Sequence, residues 1–126
     1  MTIIHRILEV VTNGDGDGSK TDSPAVAGKL VGVKWVVGTF SAGVDAVLST
    51  VNSEGANTNL LTLTNADADA MYHPRHLVHS EAGAALTGTA GGDREPPLVY
   101  GQLKLVVSAG GDTHTGRAIC FIEVNP

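Results

Sequence analysis

Along most of this chain apolar and polar residues alternate with a period close to two, and β-branched side chains dominate the apolar positions. A pleated strand sends successive side chains to opposite faces, so this pattern predicts strands buried on one side and wet on the other. Gly, Asn, Asp and Ser punctuate the runs, as turns require. Strands are predicted near 2–12, 28–39, 44–52, 58–64, 75–80, 97–108 and 116–124. Their number and alternation predict an all-β fold, an antiparallel β-sandwich or jelly-roll-like barrel of about seven to eight strands with long loops.

Within 28–39 the pattern assigns Val31, Val33, Trp35 and Val37 to the core face and Leu30, Lys34 and Val36 to the other. Within 97–108, Val99, Leu103, Leu105 and Val107 form the inner face, with Gln102, Lys104 and Ser108 turned outward. The 44–52 strand mixes its faces, and Asp45 near its start is either exposed or paired. The segment NADADAMY, 65–72, has room for one short helical turn at most, capped by Asn65 and stopped by Pro74. Two long loops are expected. One is 12–27, rich in Gly, Asp and Ser and read as flexible; the other is 83–97, where Gly91 and Gly92 loosen a backbone that Pro96 and Pro97 stiffen again.

A chain of 126 residues has room for one domain spanning 1–126, organised as an N-terminal strand 1–12, a loop 13–27 and a sandwich core 28–124. Hydrophobic residues at 42% and charged residues at 17% are too apolar for a disordered chain and too finely interrupted for a spanning helix. The net charge is −5, and no Lys/Arg cluster with interleaved aromatics offers a track for phosphates. Neither nucleic acid nor a membrane is therefore expected as a partner. The start, MTIIHRILEVV, carries Arg6 and Glu9 inside its apolar run and shows no export signal. Cys120 is the only cysteine, so no internal disulfide is expected, and the FIEV after it predicts a strand.

Candidate chemistry is sparse. In NGDGDG, residues 13–18, Asn13, Asp15 and Asp17 have the spacing that opens a calcium loop, but position twelve of such a loop falls on Pro24, where a bidentate Glu is needed. The segment is read as a solvent-facing hinge, with no metal or cofactor expected. His73, His76 and His79 stand three apart, yet on a strand His76 and His79 point to opposite sides, a poor geometry for zinc. No G-x-S-x-G elbow or phosphate-cradling loop occurs. Glu54, Asp67, Asp69, Glu81 and Asp93 all fall in expected loops or turns, where carboxylates are ordinarily solvated. No catalytic residues and no enzyme activity are expected.

The runs LLTLTNADADAMYHPRHLVHSEAGAALTG and VYGQLKLVVSAGGDTHTGRAICFIEV, with the GKLVGV strand before them, give an order of pieces over about 27–124 that resembles small head proteins of tailed bacteriophages. The likeness is greatest to capsid decoration, or cement, proteins. That resemblance implies a structural protein, made in the host cytoplasm, that sits on the virion exterior and bridges major capsid subunits. It also implies a homo-oligomer, with a trimer favoured. Candidate contacts with the capsid or another copy are Ile3, Ile4, Arg6 and Ile7 on the first strand, which could pair with a neighbour's sheet edge. Arg75 in the Tyr-His-Pro-Arg turn and Arg94 and Glu95 in the projecting loop complete the set. A phage tail or neck protein, or a carbohydrate- or receptor-binding sandwich, remains an alternative.

Overall fold

The computed structural model describes residues 2–51, 58–77 and 94–124. Among the described residues ten strands form in chain order: β1 (Thr2–Val11), β2 (Gly18–Thr21), β3 (Val26–Val36), β4 (Asp45–Val51), β5 (Asn59–Leu63), β6 (Ala70–Tyr72), β7 (His76–Leu77), β8 (Arg94–Glu95), β9 (Leu98–Ser108) and β10 (Thr115–Val124). Every pairing among them is antiparallel. The expected all-β class is the observed one, and its architecture is sandwich- or barrel-like.

The main sheet runs β1-β10-β3-β9-β4-β5, with β2 added to β9 and β6 added to β3. β9 is the hinge of this order. Its first residues, Leu98 to Gly101, pair with β3, while Gln102 to Ser108 pair with β4 and Lys104 to Val107 also pair with β2. Gly101, at φ 133°, sits where the strand passes from one set of partners to the other, a conformation that side-chain-bearing residues rarely adopt. The result is a front layer of β1, β10, β3, β6 and the start of β9, folded over a back layer of β2, the rest of β9, β4 and β5.

One core fills the space between the layers. From the front come Leu8, Val10, Leu30, Val33, Trp35, Ala118, Cys120 and Ile122; from the back come Ala46, Leu48, Leu60, Leu63, Leu103, Leu105 and Val107. Trp35 is wholly buried, stacks on Phe40 at 5.7 Å and donates its indole N–H to the Ala66 carbonyl at 2.8 Å. A buried indole needs such a partner, since an unpaired N–H in an apolar core costs about 1–3 kcal/mol.

Several expectations are met and others corrected. Val99, Leu103, Leu105 and Val107 are all buried, as the alternation of β9 predicted. In β3 the parity changes partway. Phe121 pairs with Gly32 but Ile122 pairs with Leu30, so Val31 is an extra, bulged residue. A bulge reverses which residues face inward, so Leu30 is fully buried, although the alternation placed it outside, and Val31 is only half-buried. β4 alternates cleanly, with Ala46, Leu48 and Thr50 inside. The segment 65–72 forms a bend and then a strand where one helical turn was allowed for. Asn65 takes φ 51°, Ala66 N–H bonds the Val44 carbonyl, and Asn65 N–H bonds the Asp45 carboxylate at 3.0 Å. Asp45 is therefore paired.

The 12–27 stretch contains β2 and is more ordered than its composition implied. In NGDGDG the Asn13 side-chain oxygen accepts the N–H groups of Asp15 and Asp17, at 2.9 and 3.1 Å, while Asn13 N–H bonds the Asp17 carbonyl. Gly16 carbonyl then accepts Gly110 N–H, docking the turn on the 109–114 loop. An Asx-type turn explains the residue choice without an ion. Residue 52 of the predicted 44–52 strand, residues 78–80 of the predicted 75–80 strand and 83–93 of the projecting loop lie outside the described residues, as do Glu54, His79, Glu81, Gly91, Gly92 and Asp93.

Candidate functional site: an apolar sheet face

The strand parity of β1 divides its residues into two groups. Leu8 and Val10 are buried and Ile4 packs against the core, whereas Ile3, Ile7 and Val11 stand 40%, 58% and 57% exposed. Arg6 belongs to the inward group. Its Nε lies 3.6 Å from Asp22 Oδ2, and neither of these two atoms is solvent-accessible or hydrogen-bonded. Of the four contact candidates on β1, the outer face therefore keeps Ile3 and Ile7 and loses Ile4 and Arg6. β1 is also committed to its own chain: all ten of its residues pair with β10, from Thr2 opposite Val124 to Val11 opposite Thr115.

The register continues across the front layer. Ile3 lies beside Glu123, then Lys29, then Leu98; Ile7 lies beside Ile119, then Lys34, then Met71. Between these two rows runs a third, His5, Phe121 and Gly32, with the His5 and Phe121 rings in edge contact at 4.8 Å. Met71 reaches over Gly32, where a side chain would meet its methyl group. Tyr100 follows Leu98 on the same face, opposite Ala27. Of the seven large hydrophobic residues exposed among the described residues, Ile3, Ile7, Val11, Met71, Leu98 and Tyr100 lie on this face. Monomeric soluble proteins rarely expose so much contiguous apolar surface.

The remaining candidates lie apart from it. Arg75 donates to the carbonyl of its neighbour Pro74 at 2.7 Å, closing its turn locally. Arg94 and Glu95 are exposed on β8, which pairs with His76 and Leu77 of β7. Sequence reasoning missed Met71, Leu98, Ile119 and Phe121, which join Ile3 and Ile7 only through non-local register. Leu98 precedes inner-face Val99 on β9, but nothing local to it signalled a patch.

At the loop end, Thr12 hydroxyl donates to the Gly111 carbonyl at 2.5 Å and accepts His114 N–H at 2.9 Å, and His114 Nδ1 contacts the Thr39 carbonyl. Ser41 Oγ and the His114 ring both flank Gly111, which at φ 86° leaves them room. These contacts tie three loops together. On β10, beside β1, Cys120 is buried, and desolvation, followed by the Asp22 carboxylate, pushes its thiol up to about 12. Such a thiol stays protonated and unreactive at neutral pH. Among the described residues no three His, Cys, Asp or Glu side chains converge to hold a metal ion, and no helix is long and apolar enough to cross a membrane. No protein-family model, no curated protein and no solved structure matches this chain.

Proposed function

We propose that this chain is a non-enzymatic structural protein of a tailed-phage head, attached to the outer surface of the shell and bridging major capsid subunits. The observation that carries the reading is the apolar front face, presented by an antiparallel double layer with one continuous core. A bridging protein must be stiff and adhesive, because each of its weak contacts gains from the high effective concentration that the others create. The front face supplies an apolar surface for oligomerisation. Arg75, Arg94 and Glu95 supply a separate polar surface for the shell.

A carbohydrate-binding sandwich is the weaker alternative, because such sites stack sugars on several exposed aromatics. Here Trp35 and Phe40 are buried, Tyr72 and Phe121 are half-buried, and among the described residues Tyr100 alone of the Trp, Tyr and Phe side chains is exposed. A tail or neck location would use the same physical features at another place in the virion. The test is to mix the purified protein with empty expanded capsids and count bound copies by electron microscopy. Saturable, stoichiometric decoration is expected. Bare capsids at saturating protein would refute the head assignment.

A further inference from the structure

We propose that the front face binds the same face of a second copy of this chain, around a two-fold axis that runs along the strands between β10 and β3. Such an axis keeps each cross-strand row in place and lays it over its own reverse. The rows are built for that operation. Ile3, Glu123, Lys29, Leu98 reads apolar, acid, base, apolar, so reversal sets Glu123 of one copy over Lys29 of the other, twice, and Ile3 over Leu98. In Ile7, Ile119, Lys34, Met71, reversal sets Ile7 over Met71 and Ile119 over the aliphatic stem of Lys34. In the row between them Phe121 falls over Gly32, where the Met71 side chain reaches across, so that the ring meets the Met71 methyl group.

Two further observations favour a copy of this chain as the occupant. The charged residues in the two outer rows sit where their opposites, or alkyl groups, arrive, which is the condition for an isologous contact. The face also spans four strands and about nine residues of β1, roughly 20 Å by 27 Å, which is the footprint of a small specific interface. Aligned stacking of two twisted sheets, within about 30° of parallel, is the ordinary way such faces meet. Two-fold symmetry here takes the place of the trimer that the resemblance implied. The inference does not depend on the shell; combined with the proposed function it gives a bridge with two outward-facing copies of Arg75, Arg94 and Glu95.

Charge reversal tests the pairing on the protein alone, by sedimentation velocity over a concentration series. The wild-type chain is expected to be a dimer, and Glu123→Lys and Lys29→Glu are each expected to weaken it at least about tenfold, because each sets like charges over one another twice. Mixing the two variants restores the dimer, since Lys at position 123 then meets Glu at position 29 and native Lys29 meets native Glu123. Should either variant fail to fold, Ile7→Lys at an exposed position takes its place and is expected to give a monomer. A wild-type monomer, a dimer indifferent to reversal or to Ile7→Lys, or a mixture that stays monomeric would overturn the proposal. So would a monomer whose capsid binding is abolished by Ile7→Lys, which would make the shell the occupant of this face.

Discussion

The two outer faces of this molecule are built from the same kind of strand, yet their surfaces differ. On the back layer the rows read Ser19, Val106, Val47, Thr62 and Thr21, Lys104, Ser49, Asn59, so hydroxyls dominate and, among the described residues, Val106 is the one large exposed hydrophobic residue there. On the front layer the corresponding rows carry Ile3, Leu98, Ile7, Ile119 and Met71. Both layers contribute buried residues to the one core, so core demands do not explain the contrast. A sheet face left to water gains nothing from isoleucine and incurs an aggregation risk, which polar residues on the back face avoid. On the proposed reading the front is the face that a partner covers.

The largest expected effect comes from removing what the two layers share. Trp35→Ala deletes the stacked, hydrogen-bonded indole between them and should cost about 3–5 kcal/mol. That is a large part of the stability of a small domain, and denaturant titration should show both faces lost in a single transition. A variant that kept either layer folded would show that the two are separate units and not faces of one core.

Alkali should act on the front layer from within. Folding raises the Cys120 thiol from its ordinary value of 9.0 to about 12, so the native state holds its proton more tightly than the unfolded chain does. The stability this contributes is complete below pH 9 and is lost as the pH climbs toward about 12, reaching a few kcal/mol at most. Cys120→Ala should flatten that part of the stability–pH curve relative to wild type; identical curves would place the alkaline sensitivity elsewhere.

The contrast between faces was only partly legible in the sequence. Period-two alternation located most strands and the inner face of β9, because a half-buried strand writes its environment into every second residue. It could not register the bulge at Val31, which inverts the parity of β3 and brings Leu30 into the core. β2 was read as flexible loop because its four residues, GSKT, carry no apolar alternation and are held by pairing to distant β9. Of the contact residues chosen on β1, Ile3 and Ile7 stand on the exposed face while Ile4 and Arg6 are turned inward, a distinction of parity alone. Met71, Leu98 and Phe121 could not be grouped with them in advance, since only tertiary register makes them neighbours.

A matched pair of substitutions isolates the faces from each other. Ile7→Lys on the front should reduce self-association at least about tenfold, roughly 1.4 kcal/mol, with little change in melting temperature. Val47→Lys on the back should leave association unchanged. Equal effects from the two would erase the distinction drawn here. The smallest effect is expected at the turn that joins the layers: Asn13→Ala removes the side-chain acceptor of two backbone N–H groups and should cost about 1 kcal/mol. Added calcium should leave the melting temperature of the wild type unchanged.

The chain has four lysines, and they divide evenly: Lys29 and Lys34 on the front face, Lys20 and Lys104 on the back layer. Lysine acylation followed by peptide mass spectrometry therefore compares, in one experiment on the intact protein, the front face with Lys104 on the back face and Lys20 on edge strand β2, opposite inward-facing Leu105. Protection of Lys29 and Lys34 relative to Lys20 and Lys104 is predicted at high protein concentration, with the protection lost on dilution and in Ile7→Lys. Equal labelling of all four lysines at every concentration would contradict the claim that the front face is the covered one.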